Sequence, residues 1–357
     1  MHAASFLQRL RPGPEYHAVS AFILARLLCV LCVPAVSIKK VTKLFLGVDG
    51  GQSSTTALIG DSGGRVLGCG RGGPCNHIAG KEGRTKFVRT IRDCLQAACS
   101  PAGLDANTAR FASACLGFSG GPEDKEAIVR EMLTADRMTV TCDAPIALAG
   151  ATAGGPGIIV IAGTGSIAFG RNAAGRTARA GGWGYIYGDE GGAFDIARRA
   201  LRAVLRFEEG WGPPTTLHPM LLAETGAASA NGLLHRLYTT EFSRPRIAAL
   251  AVLVDRAAEQ DDAVARSILE TAAMELVGLA SAVRRQLFPA GELVRLAHVG
   301  GAFRSEILRS YFCAAADVAG GMRAGPPVHG PAAGALLEAY RAEGLLPHLV
   351  DLPEEEK

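Results

Sequence analysis

The chain has 357 residues, 48% of them hydrophobic and 20% charged, with a formal net charge of +3. That composition belongs to a globular protein long enough for two cores of ordinary size, and it excludes a disordered chain. The charge is small for the length and no run of Lys or Arg dominates, so no nucleic-acid partner is expected.

Residues 1–40 differ from the rest of the chain. Arg9 and Arg11 precede an apolar stretch, 21–37, that is broken by Arg26 and ended near Pro34. A charged segment before an apolar one is the arrangement of a signal peptide or an anchor. The stretch is short for a spanning helix and carries a charge near its middle. The preferred reading is a non-native or signal-like extension ahead of a cytoplasmic protein with no membrane attachment. The nine cysteines, odd in number and scattered through predicted elements, agree with a reducing compartment. Only Cys29 and Cys32 have CxxC spacing, and without a second pair they are not read as a metal site.

The apolar run 44–48 predicts a buried strand leading into Asp49-Gly50-Gly51 and the hydroxyl-bearing turn Gln52-Ser53-Ser54-Thr55. Strands at 56–60 and 65–70 come next, around Ser62-Gly63-Gly64. Asp49 stands at a strand end, where a carboxylate beside backbone donors suits hydrated Mg²⁺. The loop 72–77 sets Asn76 beside His77, with Asn76 either capping a helix that begins near Lys81 and continues through 85–99 or contacting a ligand. Phe87, Ile91, Leu95 and Ala98 form one stripe on that helix, which marks it as packing. A strand at 111–118 leads into Ser119-Gly120-Gly121-Pro122, and Pro122 is placed to open a helix to 133 with Glu123 and Asp124 in its first turn. A strand at 138–141 ends near Asp143, read as an N-cap for helix 144–152 or as a carboxylate facing the same cleft as Asp49.

A strand at 158–162 ends in Gly163-Thr164-Gly165-Ser166. Neither glycine carries a Cβ, so backbone N–H groups can approach an anion closely while the hydroxyls add donors; such a turn suits phosphate. Strands at 167–170 and 177–180 precede Gly181-Gly182-Trp183-Gly184 and Gly188-Asp189-Glu190-Gly191-Gly192. Three glycine clusters in succession between strands and helices point to a ligand site. The helix 190–207 is basic on one face through Arg198, Arg199, Arg202 and Arg206, read as solvated surface. Helices at 247–259 and 262–286 carry apolar stripes. A strand at 294–299, with His298 read as core, ends in Gly300-Gly301. A helix at 332–340 comes after a Pro-rich segment, and the tail 354–357 is read as solvated charge.

The order of three strands, helix, strand, helix, strand, helix is begun twice. It resembles the ribonuclease-H-like duplication of actin, hexokinase and the heat-shock chaperones: an α/β fold of two lobes with a nucleotide cleft between them, here 41–153 and 154–330, with a helix at 331–345 packing back on the first. Val48-Asp49-Gly50-Gly51, Gly73-Pro74-Cys75-Asn76-His77, Gly117-Phe118-Ser119-Gly120-Gly121, Asp143-Ala144, Ala162 to Ser166, Gly181 to Gly184, Gly188 to Gly191 and Val299-Gly300-Gly301 look like the motif series of the N-acetylglucosamine kinases and their BadF/BadG/BcrA/BcrD-type ATPase relatives. The match runs from about 44 to 337. The resemblance implies that Gly50, Gly51, Gln52 and Ser53, with Gly163, Thr164, Gly165 and Ser166, hold the phosphates of ATP. It places Gly300, Gly301 and Ser305 near adenosine, sugar contacts at Asn76, His77, Gly182, Trp183, Gly184 and Asp189, and Mg²⁺, held through water, at Asp49 and Asp143. A carboxylate and an amide suit sugar hydroxyls, and a Trp can lie against a pyranose ring.

In these kinases an Asp directly follows Ser-Gly-Gly and takes the proton from the sugar hydroxyl. Here that position is Pro122, which leaves Asp124, Asp189 and Asp143 as candidates for the role. The expected function is transfer of the γ-phosphoryl group of ATP to a hydroxyl of an amino sugar such as N-acetylglucosamine. Two alternatives stand beside it. One is an ATPase that activates a partner enzyme, disfavoured because Ile161 and Ala162 stand where such proteins carry a cluster-ligating Cys. The other is a sugar or nucleotide sensor without turnover, suggested by Pro122. Which sugar is used, and whether the chain forms a homodimer, the sequence leaves open.

Overall fold

In the computed structural model Leu44–Gly50 (β1) is the central strand of a five-stranded sheet, with Thr55–Asp61 (β2) on one side and Arg110–Phe118 (β4) on the other. Val66–Gly72 (β3) and Thr134–Cys142 (β5) form the edges. The order is β3-β2-β1-β4-β5; the first three strands pair antiparallel, and β4 and β5 run parallel to β1. β1 and β4 are covered on both faces, which is why they read as unbroken apolar runs rather than alternating ones. The described residues are 43–75, 78, 80–239 and 242–357. The expected extension at 1–40, with Cys29 and Cys32, lies outside them, as do Asn76 and His77.

Gly157–Ala162 (β6), Ser166–Arg171 (β7), Thr177–Gly181 (β8), Val294–Val299 (β9) and Met322–Gly325 (β10) build a second sheet in the order β8-β7-β6-β9-β10. It repeats the plan of the first, an antiparallel meander and then two parallel strands. Strand β10 has four residues, too few for a periodicity signal, and sequence reasoning missed it.

Gly80–Cys99 (α1) lies so close to the first sheet that a Cβ on Gly68 or Gly70 would stand 2.0 Å from the carbonyl oxygens of Ala98 and Cys94. Glu126–Met132 (α2) begins later than the position of Pro122 suggests. The Pro122 carbonyl accepts from the N–H groups of Lys125 and Glu126, so this proline opens a turn that precedes the helix. Asp143–Ala151 (α3) buries Ala147, Leu148 and Ala151 against Ile159 and Ala297 of the second sheet. Ala193–Glu208 (α4) starts after the expected residue 190, because Gly191 takes φ +72° and Gly192 is an extended cap.

Leu217–Thr225 (α5), Ala230–Leu237 (α6), Arg244–Ala249 (α7), Ala251–Glu259 (α8) and Ala263–Leu287 (α9) come next, then Glu306–Ala319 (α10) and Pro331–Ala342 (α11). Helix α11 returns to the first sheet, where a Cβ on Gly47 would meet the Leu336 nitrogen at 2.2 Å. The Tyr340 hydroxyl donates to the Asp61 carbonyl at 2.6 Å. Helix α11 also crosses α3 at Gly334, whose Cβ would stand 1.9 Å from the Ile146 carbonyl. An Arg171–Glu338 pair at 2.8 Å ties β7 to α11.

The tail is not solvated charge. Glu356 is 6% exposed, and its carboxylate accepts from the Ala333 N–H at 2.9 Å, at the positive end of α11. Glu355 pairs with Arg71 at 2.7 Å.

Candidate functional site

The Gly163-Thr164-Gly165 turn joins β6 to β7. Gly163 N–H donates to the Gly165 carbonyl at 2.9 Å, while the carbonyls of Gly163 and Thr164 accept from Ala193 and Phe194 at the start of α4, at 2.8 and 3.1 Å. The turn is thereby fixed to the helix. Position 165 has no room for a side chain, since a Cβ would stand 2.4 Å from the Asp189 carboxylate. Asp189 itself takes φ +64° and is 4% exposed. One of its oxygens accepts from Ser166 N–H at 3.3 Å and the other from Arg244 at 2.5 Å. The Ser166 hydroxyl donates to the Glu190 carbonyl at 2.6 Å, so it braces the Gly-Asp-Glu-Gly segment.

Gly163 and Thr164 line a pocket of about 490 Å³ whose far wall is α7 and α8 (Pro245, Ala248, Val252) and whose third side is Gly301, Ala302 and Ser305. Gly300 needs its φ of +112° there, because a Cβ would lie 2.3 Å from the Ala162 carbonyl where β9 and β6 end together. Ser305 caps α10: its Oγ accepts from Leu308 N–H at 3.0 Å and donates to the Asp255 carboxylate. A mostly apolar pocket of this size with a few polar groups fits a small molecule. Of the expected nucleotide residues, Gly163, Thr164, Gly301 and Ser305 meet here. Arg244 and the break between α7 and α8 were not found in the sequence, where no Gly or Pro marks Leu250.

Gly181, Gly182 and Gly184 all take positive φ, and Gly182 N–H donates to the Ser166 carbonyl at 2.9 Å. This conformation leaves Trp183 64% exposed with the Arg179 guanidinium 4.8 Å from its ring. Tyr185 packs edge-on to Phe194 and lies 5.0 Å beneath Arg244, so Arg244 touches both the aromatic segment and Asp189.

In the first sheet, Asp49 stands next to last in β1, opposite Thr56 and Gly117. Its carboxylate is half-buried and makes no hydrogen bond among the described residues. Burial, then the charges of Glu356 and Asp143, push its carboxyl up from 3.8 to about 7. A carboxylate so placed is one that a cation held through water would relieve. Among the described residues no group of three or more His, Cys, Asp or Glu could hold a metal ion directly. Asp143 is the first residue of α3 rather than its N-cap, and one of its oxygens accepts from the Ser119 hydroxyl at 2.8 Å. Gly51 N–H closes the hairpin turn on the Ser54 carbonyl at 2.9 Å, with Gln52 and Ser53 exposed upon it. Gly50 is fixed by Phe118, whose ring a Cβ would meet at 2.3 Å.

Asp124 is engaged on both oxygens, by Lys125 Nζ at 2.6 Å and by Ile78 N–H at 2.7 Å. Burial opposes its ionisation, but these hydrogen bonds outweigh burial and hold its carboxyl below the usual range. Lys125, whose side chain is wholly buried, also donates to the Gly121 carbonyl at 3.2 Å. The pair anchors the segment just after Asn76-His77; sequence reasoning singled out Asp124 and passed over Lys125.

The profile of the BadF/BadG/BcrA/BcrD ATPase family matches residues 46–339. The chain is 34% identical over 264 residues to the N-acetylmuramic acid/N-acetylglucosamine kinase of Clostridium acetobutylicum, spanning 72% of this chain and 85% of that one. It is 30% identical over 263 residues to the N-acetyl-D-glucosamine kinase of Dictyostelium discoideum, spanning 69% and 80%. A Chromobacterium violaceum protein described as a candidate N-acetylglucosamine kinase superposes with a TM-score of 0.65 at 28% identity, over 83% of this chain and 98% of that one. On matches of that extent, over a fold that repeats one strand order twice, the chain belongs to the BadF/BadG/BcrA/BcrD ATPase family.

Proposed function

We propose that the chain is a cytoplasmic enzyme that transfers the γ-phosphoryl group of ATP to a hydroxyl of N-acetylglucosamine or a closely similar amino sugar. The observation that carries this reading is the pocket at the Gly-Thr-Gly turn, in a chain 34% and 30% identical to two kinases named for such sugars. Adenosine sits between α7–α8 and Gly300–Ser305, and the phosphates run to the turns at Gly163–Gly165 and Gly50–Ser53. Asp49 suits Mg²⁺ held through water, with Asp143 and Glu356 adding negative charge around it; the ion, when bound, neutralises phosphate charge.

Asp189, held by Arg244 and Ser166 N–H, accepts from a sugar hydroxyl, and Trp183 lies against the ring, with Asn76, Gly182 and Gly184 completing the sugar side. Of the three candidate bases, Asp124 has both oxygens engaged within the fold, and Asp189, paired with the Arg244 guanidinium, is assigned to orienting the sugar through a hydroxyl. Asp143 gives one oxygen to Ser119 and keeps the other without a partner among the described residues. Asp143 therefore takes the proton as the hydroxyl oxygen bonds to phosphorus and the bond to the β,γ-bridging oxygen breaks, releasing ADP. Most of the acceleration comes from positioning and charge neutralisation.

The test is ADP release from Mg-ATP by the full chain with N-acetylglucosamine, N-acetylmuramic acid, glucosamine, N-acetylmannosamine or glucose. One amino sugar should raise the rate well above background. Asp143→Asn should remove about a hundredfold of that stimulation while Asp124→Asn costs less than about tenfold. An ADP rate identical with and without every sugar overturns the acceptor assignment.

A further inference from the structure

A groove of about 550 Å³ runs between α4 and α9 beside the loop just after Trp211. Arg199, Arg202, Ala203 and Arg206 line it from α4, and Ser267 and Ile268 line it from α9. The basic face of α4, taken from sequence as uniformly solvated, divides in two. Arg198 and Arg199 are held by Asp195, which is 1% exposed, and Arg199 also donates to both oxygens of Glu275 at 2.8 Å. Arg202 and Arg206 have no acidic partner among the described residues.

Four residues apart on a helix, Arg202 and Arg206 have Cβ atoms about 5–6 Å from one another, and their like charges repel. The Arg206 guanidinium is steered by Trp211, lying 4.8 Å from its ring, and the Trp211 indole N–H is in turn held by Glu209 at 2.6 Å. The groove is separate from the nucleotide pocket. The two share no lining residue, although Ile196 and Leu269 of that pocket lie within a turn of Arg199 and Ile268 of the groove; Arg202 itself is about 14 Å along α4 from Ala193, where the Gly-Thr-Gly turn docks.

We propose that this groove binds a small phosphomonoester, with the dianionic phosphate forked between Arg202 and Arg206, the Ser267 hydroxyl donating to it, and a compact apolar body resting on Ala203 and Ile268. Planar guanidinium groups pair with phosphate oxygens two at a time, and the apolar lining from Ala203 and Ile268 selects an ester over the free ion.

The test is calorimetric titration of the full chain at about 0.15 M salt, where exposed charges are screened. Saturating Mg-ADP is present, and the titrants are phenyl phosphate, inorganic phosphate and phenol. Phenyl phosphate should bind saturably at one site, at least about fivefold tighter than either inorganic phosphate or phenol. Arg202→Ala with Arg206→Ala should weaken it by about tenfold or more, and Arg202→Gln alone, which keeps the helix, by about threefold, while Arg110→Ala in the first sheet changes nothing. Melting temperatures show whether each variant is folded, and a double variant that melts early is judged by Arg202→Gln. Equal binding of inorganic and phenyl phosphate, binding unchanged in the folded variants, or no saturable binding overturns the proposal.

Discussion

Replacing Asp49 with Asn should flatten the pH dependence of stability in the nucleotide-free protein. In the fold the Asp49 carboxyl is pushed up from 3.8 to about 7 by burial and by the charges of Glu356 and Asp143. Because the folded value lies above the unfolded one, Asp49 costs nothing at a pH below 3.8, where it is neutral in both states. Between 3.8 and 7 the unfolded chain ionises and the native one resists, so the cost grows by about 1.4 kcal/mol per pH unit and levels off near 4 kcal/mol above 7. From pH 5 to 8 the wild type therefore loses about 2–3 kcal/mol that Asp49→Asn keeps. At roughly 2–4 °C per kcal/mol, the melting temperature of Asp49→Asn relative to wild type should rise by roughly 4–12 °C across that range. Differential scanning calorimetry at pH 5, 6, 7 and 8, without nucleotide or divalent ions, measures it. Glu356→Gln, which removes the larger of the two neighbouring charges and also a buried carboxyl that burial pushes up, should likewise flatten the curve relative to wild type. Parallel curves for wild type and Asp49→Asn would refute the reasoning.

Glu356→Ala should cost about 1–2 kcal/mol in urea unfolding at pH 5, where the capping of α11 is lost, and less at pH 8, where relief of Asp49 offsets part of it. Gly300→Ala drives a Cβ to 2.3 Å from the Ala162 carbonyl at a φ of +112° and should destabilise by about 2–4 kcal/mol, whereas Gly301→Ala meets nothing within 4 Å and should cost less than about 1 kcal/mol. Asp189→Asn leaves Arg244 without its counter-charge and should raise the KM for the sugar more than about tenfold while leaving the KM for ATP within about threefold. Ser166→Ala should lower stability by about 1 kcal/mol with ATP affinity within about twofold, because its hydroxyl serves the Glu190 carbonyl; a large loss of ATP affinity would return it to the phosphates.

The runs 44–48 and 158–161 were readable as strands because burial on both faces leaves a signature in consecutive residues. The glycine clusters were readable because their conformations exclude side chains locally. What stayed hidden depends on distant partners. Glu356 sits in an acidic tail that looks solvated, and its burial is set by the start of α11, 23 positions away at Ala333. Arg244 meets Asp189 across 55 positions with no local pattern to announce it. Lys125 is a polar residue beside an acid, and only the fold of the Gly120-Gly121 loop takes it out of water. The start of α4 was misplaced because two glycines interrupt a pattern that periodicity alone would continue.

The return of α11 to β1 also fixes an order of events during synthesis. One face of the first sheet, with Phe45, Leu58 and Ala112, is covered by Leu336, Leu337 and Tyr340. About 280 residues separate the end of β1 from the start of α11, and at ribosomal rates of about 5–20 residues per second that face waits roughly 15–55 s for its cover. The second sheet, by contrast, is built wholly from the contiguous segment 157–325, with no later segment needed to complete its strand order. The half of the protein that is translated first is therefore completed last, and its bare sheet face is the stretch for which a nascent chain would most need protection from aggregation.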